Sequence, residues 1–226
     1  MRPVIVMTQT SKFQSDMVEI IHKPFIDIQS LYFDENLLKN NYDWLIFSSK
    51  NAVKYFLKYM NLVNYQKVAA IGKKTAEYCQ SLDISVDFIP KDYSQEGFIN
   101  QFSEYNQKIL LPSSKQARPY LYDELSKTND VVKIDLYEPI PNYQHINEVK
   151  SLINNQKIDA LTFSSSSSVR YYFNEDPIPK FDHYFAIGKQ TAETLHSFNQ
   201  TVKVANKQTL ASIIDKILES RDKNEI

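Results

Sequence analysis

The 226-residue chain has little of several features that mark particular classes of protein. It contains one cysteine, Cys79, so an internal disulfide is excluded and we expect a cytoplasmic protein. The net charge of −1 provides no general basic surface for nucleic acid. No apolar run approaches the roughly 20 residues of a membrane-spanning helix, and the opening apolar stretch is too short for a signal peptide. We therefore expect an ordinary globular protein that binds neither nucleic acid nor a membrane.

Histidine and glycine are also scarce, which argues against two further kinds of site. The four histidines form neither an HExxH motif nor a Cys/His cluster, so we expect no metal. The three glycines are Gly72, Gly97 and Gly188, and none belongs to a nucleotide-binding fingerprint. Cys79 has no histidine at a suitable spacing on its predicted helix and is interpreted as a packed thiol.

The chain does contain an internal repeat of eight residues. Ala70–Glu77 (AIGKKTAE) recurs as Ala186–Glu193 (AIGKQTAE), 116 positions later. Each copy follows an apolar run and precedes a helix-prone run, which is typical of a buried strand that leads through glycine into a helix. Free N–H groups at a helix start favour an anionic ligand. Two such helix starts predict one ligand held from two sides.

Further matches extend this repeat over the whole chain. Asp43–Ser49 matches Asp159–Ser165 at the same offset of 116, and Ser94–Phe98 matches Thr209–Ile213 at 115. Ile109–Lys115 resembles the opening strand, and Val131–Tyr137 resembles Ile26–Tyr32. Matches in order at nearly one spacing predict a duplicated unit of about 110 residues, each an alternation of strands and helices.

The apolar runs predict strands, and the segments between them mostly predict helices. Pro3–Thr8 and Phe25–Phe33 are predicted strands, whereas Lys12–Ile21 has helical spacing through Met17, Ile20 and Ile21. The alternation predicts an α/β fold with two doubly wound parallel sheets. Ligands of such sheets bind beyond the carboxyl ends of the strands, and hydroxyl groups are concentrated at those ends here.

These strand ends supply the candidate ligand-binding residues. They are Thr10, Ser48, Ser49, Lys50, Gly72, Lys73, Thr75, Ser113, Ser164, Ser165, Ser166, Gly188, Lys189 and Thr191. For each serine or threonine the alternative is a hydrogen bond that caps a helix or satisfies its first turn. Positive charge near the same edges comes from Lys50, Lys73, Lys115, Arg118, Arg170 and Lys189. Most lysines are only solvated surface, so we expect a few of these cations at most to meet a ligand.

The order of these motifs resembles the uroporphyrinogen-III synthase family over nearly the whole chain. The resemblance depends on Asp43–Val53, the two Ala-Ile-Gly-x-x-Thr-Ala copies, Leu110-Leu111-Pro112, Leu136-Tyr137 and Asp159–Val169. It implies two flavodoxin-like lobes joined by two extended strands, with a cleft between the lobes. Carried over to this chain, residues 1–34 and 141–226 form one lobe, 37–135 the inserted lobe, and 35–36 and 136–140 the linkers. The pattern of residues alone would place a boundary near residue 105.

The resemblance also implies an activity. The family acts as a lyase that cyclises hydroxymethylbilane with loss of water and inversion of the last pyrrole ring, without metal or cofactor. Tyr137 resembles the family's linker tyrosine, which is proposed to assist departure of the hydroxyl. The alternative for Tyr137 is a core tyrosine, one of 15 in the chain. We expect a monomer that has at most transient contact with the preceding enzyme of its pathway.

Two other functions fit the same residues. A two-lobed protein could bind or sense an anionic small molecule without catalysing a reaction. A degenerate copy could act as a non-catalytic partner of other enzymes. Tyr137 on a linker strand favours the cyclase over the binding protein.

Overall fold

A computed structural model describes residues 2–223 as an α/β fold. The strands of this range are β1 (Val4–Met7), β2 (Glu19–His22), β3 (Ile26–Ser30), β4 (Asn41–Phe47), β5 (Asn64–Ala70), β6 (Lys108–Ser114), β7 (Asp130–Pro141), β8 (Ala160–Phe163), β9 (Tyr184–Ala186) and β10 (Lys203–Val204). Its α-helices are α1 (Lys50–Phe56), α2 (Lys73–Gln80), α3 (Gln95–Gln101), α4 (Tyr120–Leu125), α5 (Tyr143–Asn154), α6 (Ser166–Phe173), α7 (Lys189–Ser197) and α8 (Leu210–Asp222). None of the helices in this range is both long and apolar enough to span a bilayer.

The chain forms two compact units. The first unit takes the residues up to Asp27 together with those from Ile140 onward, and the second is Ile28–Pro139. The chain therefore passes from one unit to the other within β3 and again within β7, so two extended strands join the units. The first crossing lies earlier than the expected linker at residues 35–36. Those residues instead begin a short 3-10 helix, Glu35–Lys39, because the Asp34 carboxylate accepts a hydrogen bond from the Asn36 N–H.

Each unit contains one five-stranded sheet. The strand order is β10-β9-β8-β1-β2 in the first unit and β3-β7-β6-β4-β5 in the second. All neighbours in the first sheet are parallel, as are β7-β6, β6-β4 and β4-β5 in the second. Counted along the chain, the first sheet has the order 2-1-3-4-5 of flavodoxin-like doubly wound folds. The predicted fold class is confirmed.

The two sheets repeat each other residue by residue. Leu45 on β4 is paired with Val68 on β5, and Leu161 on β8 is paired with Tyr184 on β9. Both members of the second pair lie 116 positions beyond those of the first. The second unit has the same sheet with a permuted chain order, in which β7, β6, β4 and β5 correspond to β2, β1, β8 and β9. The internal duplication is thus visible in the hydrogen-bonding register.

One of the predicted correspondences within the repeat is wrong. Asp130 is paired with Lys108 on β6 as Glu19 is paired with Val4 on β1, so β7 corresponds to β2. Val131–Tyr137 therefore does not match Ile26–Tyr32 in the fold. The match depended on one shared Leu-Tyr pair, which is too short to define a register.

A pair of aspartates supports the same strand contact in both units. The Asp159 carboxylate accepts a hydrogen bond from the Val4 N–H at 2.7 Å, and the Asp43 carboxylate accepts one from the Lys108 N–H at 2.8 Å. Each carboxylate therefore satisfies the first N–H of the neighbouring strand. These aspartates lie at the amino ends of β8 and β4, away from the strand ends that carry the candidate ligand-binding residues.

Both faces of each sheet are covered by apolar side chains. On β1, Val6 packs into one cluster of buried residues, while Ile5 and Met7 pack into another. On β4, Leu45 and Phe47 alternate in the same way with Trp44 and Ile46. Continuous apolar strands are typical of parallel sheets with helices on both faces.

The predicted helix over Lys12–Ile21 is wrong. The segment is irregular until Glu19, where β2 begins and pairs in parallel with β1. Ile20 is opposite Ile5 and Ile21 is opposite Val6, so backbone pairing with a buried strand overrides the helical spacing. In the second unit the corresponding connection, from β6 to β7, does contain a helix, α4.

Candidate functional site

In the second unit the candidate site begins where β4 ends and α1 starts. Ser49 is the N-cap of α1, and its hydroxyl accepts a hydrogen bond from the Ala52 N–H at 3.1 Å. Ser48 and Ser49 are both partly exposed. Capping therefore accounts for part of the role of Ser49, as the alternative interpretation of the sequence holds. It does not account for the second contact of this hydroxyl.

That second contact is with Tyr137, the predicted catalytic residue. The two hydroxyl oxygens are 2.9 Å apart. The Tyr137 ring stacks on Tyr55 from α1, with centroids 5.3 Å apart and planes inclined by 24°. Tyr137 is 5% exposed, and burial raises the pKa of its phenol, an effect that the hydrogen bond with Ser49 partly opposes. The phenol therefore keeps its proton at neutral pH.

An irregularity in β7 places Tyr137 in this position. The register between β6 and β7 shifts between Ser113 and Ser114, so Ser113 is opposite Asp135 whereas Ser114 is opposite Tyr137. Leu136 and Tyr137 are consecutive, yet both pack in the same cluster of buried residues. A regular strand would direct them to opposite faces, so the bulge is what brings the tyrosine toward Ser49.

The repeated Gly-x-x-Thr turns begin helices in both units. Gly72 is the N-cap of α2 and Gly188 is the N-cap of α7, and neither cap has a side-chain hydrogen bond. Thr75 and Thr191 are each 5% exposed, in the first turns of these helices. A β-carbon built on Gly72 would have the Thr75 hydroxyl as its nearest neighbour, at 4.0 Å, whereas one on Gly188 would lie 3.0 Å from the Gln208 amide. Space is thus open beside Gly72 and filled by a flexible side chain beside Gly188.

The candidate residues of the first unit largely come together. Ser165 caps α6 by accepting a hydrogen bond from the Ser168 N–H at 3.2 Å. A cavity of about 370 Å³ lies at the ends of β8 and β9. It is lined by Ser164, Ser165, Ser166, Ser167, Arg170, Ile187, Gly188, Gln190, Thr191 and Gln208. Five of the predicted ligand-binding residues therefore line one cavity, and no acidic residue is among its lining.

The remaining candidates are placed differently. Thr10 is exposed in the segment after β1, and it is absent from the lining of this cavity. Lys73 and Lys189 are exposed and lie 3.8 Å from Glu77 and Glu193, one turn further along their helices. Lys50 lies over the ring of Tyr78, with its amine 4.9 Å from the ring centroid.

Two buried polar atoms without a partner occupy equivalent places in the two units. They are Oε1 of Gln9 and Oγ of Ser113, and neither has a hydrogen-bond partner among the described residues. Ile5 is opposite Ala160 and Ile109 is opposite Trp44, so positions 104 apart correspond on β1 and β6. Gln9 and Ser113 are separated by the same 104 positions. Gln9 follows β1, and Ser113 lies near the end of β6. Next to these strands the strand order of each sheet reverses, and ligands of such folds bind at that point.

Sequence reasoning missed two contributors to these strand ends. Tyr55 stacks on Tyr137, and Gln208 covers Gly188. A stacked ring on α1 follows from the helix packing on its sheet, which no spacing in the sequence reveals. Gln208 immediately precedes Thr209, the N-cap of α8. A threonine that caps a helix was the feature of the sequence that could have indicated the position of Gln208. Within residues 2–223, no three or more His, Cys, Asp or Glu side chains are grouped so as to hold a metal ion.

The fold and these strand ends define a class: duplicated, doubly wound α/β proteins whose ligands bind at the carboxyl ends of the strands. The family profile described as "Uroporphyrinogen-III synthase HemD" matches residues 10–215. The chain belongs to the uroporphyrinogen-III synthase family, and the resemblance seen in the sequence is confirmed.

Individual relatives agree with this assignment. The chain is 26% identical to "Porphyrin biosynthesis protein HemD" of Ruminiclostridium josui over 235 positions, covering 94% of the chain but 46% of that protein. The chain thus spans about half the length of this relative. It is 25% identical over 224 positions to "Putative uroporphyrinogen-III synthase" of Archaeoglobus fulgidus, covering 95% of both.

Solved structures show the same fold. The uroporphyrinogen-III synthetase of Helicobacter pylori superposes with a TM-score of 0.65 at 18% identity, covering 97% of this chain and 99% of that one. A mutant uroporphyrinogen III synthase of Thermus thermophilus gives 0.54 at 13% identity, covering 91% and 90%. At these identities the likeness describes the architecture alone.

Proposed function

We propose that the chain is a uroporphyrinogen-III synthase, a lyase that closes hydroxymethylbilane into uroporphyrinogen III. The reaction removes water from the terminal hydroxymethyl group and inverts the last pyrrole ring before closure. In this proposal the polar strand ends of both units supply hydrogen-bond donors to the substrate. The protein uses no metal or cofactor in this scheme.

The observation that carries the proposal is the hydrogen bond between Tyr137 and Ser49. A departing hydroxyl needs a proton or a strong hydrogen bond, and a phenol that keeps its proton supplies it. The Ser49 hydroxyl accepts from the Ala52 N–H, so its own hydrogen is available to the Tyr137 oxygen. In that arrangement the Tyr137 hydrogen is free to point toward the substrate. Ser49 then orients the phenol, and Tyr137 touches the leaving group.

The remaining task is to position the substrate. The last ring must be attacked at a carbon that already carries a substituent, and uncatalysed closure does not take this route. Well-oriented intramolecular reactions gain several kcal/mol, roughly 7–11 at the extreme. The substrate carries eight carboxylates, so many neutral donors suit it better than a single clamp. Ser164, Ser165, Ser166 and Thr191 around one cavity provide such donors in the first unit.

The test is an isomer assay with freshly prepared hydroxymethylbilane. Spontaneous closure gives isomer I, so we expect isomer III only when the folded protein is present, by chromatographic separation of the oxidised products. A folded protein that yields only isomer I contradicts the proposed activity. If that protein still binds the octa-acid, the alternative of a non-catalytic two-lobed binding protein is supported instead.

The cellular location, the oligomeric state and the partner of the enzyme belong to the same proposal. The single cysteine is a free, buried thiol, which supports a cytoplasmic protein. We propose a monomer, with transient contact to the enzyme that makes hydroxymethylbilane, because that substrate closes spontaneously if it is released. Sedimentation of the protein alone and mixed with that enzyme tests both statements.

A further inference from the structure

Six cationic side chains were expected near the strand ends, and in the structure one of them differs from the other five in its interactions. Five have a partner within the protein. Lys73 lies near Glu77, Lys115 near Glu138, Arg118 near Glu96, Lys189 near Glu193, and Lys50 over the ring of Tyr78. For Arg170, the part of the chain that the structure describes offers no hydrogen-bond, ion-pair or aromatic partner to the guanidinium.

Arg170 also lines a cavity with two neighbouring hydroxyl groups. It is an exposed residue of α6, and Ser166 and Ser167 lie four and three positions before it, which places them on the same side of the helix. All three line the cavity of about 370 Å³ at the ends of β8 and β9. Arg170 and Ser166 also line an adjoining cavity of about 400 Å³. Arg170 therefore lines both cavities.

The charge of this region is positive. The lining of the first cavity contains hydroxyl, amide and backbone groups and no acidic side chain. The adjoining cavity has one acidic residue, Glu193, which lies 3.8 Å from Lys189. A guanidinium without a carboxylate of its own, beside hydroxyl donors, is suited to binding a carboxylate through two parallel hydrogen bonds.

We propose that Arg170 binds a carboxylate side chain of the linear tetrapyrrole and so contributes to the selection of a highly acidic substrate. The inference depends on the proposed function, since that function supplies the polyacid. The carboxylate takes no part in bond making or breaking. Arg170 therefore holds the substrate and its product equally, and it is a binding residue rather than a catalytic one.

The second unit does not repeat this arrangement. The position 116 residues before Arg170 is Lys54, whose amine lies 5.5 Å from the centroid of the Tyr55 ring. The two units thus present different cations at equivalent places, although their sheets correspond residue by residue. An arginine in one unit and a lysine at the equivalent place in the other would favour one orientation of the substrate.

The experiment compares Arg170→Gln and Arg170→Lys with the wild type. We expect Arg170→Gln to raise KM about tenfold with kcat unchanged, since a charge-assisted hydrogen bond is lost equally from ground state and transition state. Arg170→Lys should recover part of the loss, because it keeps the charge but not the planar fork. The KM of the wild type should rise more steeply with salt than that of Arg170→Gln.

A matched control and a second probe keep the result clear. Lys157→Gln removes the same charge from the same unit at the amino end of β8, and it should leave KM unchanged. Binding of uroporphyrin III, an octa-acid, is measured by fluorescence for every variant, whether or not the wild type makes isomer III. If the wild-type protein binds the octa-acid but forms only isomer I, the proposed function is contradicted while the role of Arg170 in binding is not. Equal dissociation constants for wild type and Arg170→Gln overturn the role of Arg170.

Discussion

The hydroxyl of Tyr137 lies 2.9 Å from that of Ser49, although the two residues are 88 positions apart in the chain. One comes from β7 and the other from the turn after β4, and β6 lies between these strands in the sheet. The contact exists because the register shift beside Ser114 turns Tyr137 to the same face as Leu136. A backbone irregularity thus sets the position of the candidate catalytic group.

Replacing Tyr137 by phenylalanine removes only this hydroxyl. We expect Tyr137→Phe to lower kcat about 100-fold, the lower range for loss of a general acid, while the free energy of unfolding changes by about 1 kcal/mol. Rates of isomer III formation and urea unfolding measure the two effects. Tyr42→Phe is the control, since Tyr42 is a buried tyrosine of the same unit that donates to the Leu37 carbonyl at 2.7 Å. An unchanged kcat in Tyr137→Phe would exclude the phenol from the mechanism.

Ser49 caps α1 and is proposed to position the Tyr137 phenol, and a second serine cap allows the two roles to be separated. Ser49→Ala should cost about 1 kcal/mol of stability through the lost cap of α1 and should also lower kcat, because Tyr137 loses its partner. Ser94 caps α3 by accepting from the Gly97 N–H at 2.9 Å, and it has no contact with Tyr137. Ser94→Ala should lose similar stability at full kcat. If kcat is unchanged in both variants, Ser49 caps α1 and has no role in positioning Tyr137.

The sequence predicts structural features that depend on local or repeated patterns, and it fails for features that depend on contacts between distant segments. The apolar strands, the Ser49 and Ser165 caps and the spacing of 116 are local or repeated, and they predict the two sheets correctly. The segment Lys12–Ile21 fails because Ile20 and Ile21 gain backbone partners from β1, which no local pattern encodes.

The candidate site shows the same limit. The sequence predicts which strand ends are rich in hydroxyl groups, and a cavity collects several of them in the first unit. It does not predict that Tyr55 supports Tyr137 or that Arg170 alone lacks a partner among the six cations within residues 2–223. Those facts depend on which neighbours tertiary packing provides.

Ser113 tests whether a buried hydroxyl is kept for function at a cost in stability. It is 2% exposed and its hydroxyl has no partner among the described residues. Ser113→Ala should therefore raise the free energy of unfolding by about 1 kcal/mol, because an unsatisfied polar group is removed. If Ser113 binds substrate, kcat/KM falls in the same variant. A more stable protein with unchanged kcat/KM would remove Ser113 from the candidate site, and thermal unfolding with the isomer assay distinguishes the cases.

The paired glycines differ in the space around them, and a methyl group on each tests the ligand site. Gly72→Ala places the new carbon 4.0 Å from its nearest neighbour, so stability should change by less than about 1 kcal/mol. If a substrate carboxylate binds at the N–H groups of α2, the methyl group fills part of its approach and KM should rise. Gly188→Ala first displaces Gln208 and should cost more stability. An unaltered KM in Gly72→Ala would place the substrate elsewhere.

Buried tyrosines should contribute to a loss of stability at alkaline pH. Burial raises the pKa of Tyr184 to about 12, and it also raises the pKa values of Tyr137 and Tyr172 above the ordinary value of 10. Above roughly pH 10 the unfolded chain loses these protons while the folded protein retains them, so the unfolded state binds fewer protons and stability falls as pH rises. We expect a constant free energy of unfolding between about pH 7 and 9 with respect to these groups, and a decline beyond pH 10.

One variant isolates the contribution of a single phenol to this decline. Tyr184→Phe keeps the buried ring and removes the titrating group, so urea unfolding between pH 9 and 11 should show a shallower loss of stability than in the wild type. Tyr105→Phe, at an exposed position of the second unit, is the matched control. An equal slope in Tyr184→Phe and wild type would mean that the alkaline loss comes from other groups. Because burial raises the pKa of the Tyr137 phenol above its ordinary value, this group should stay protonated up to about pH 9, and kcat should therefore be constant between about pH 7 and 9.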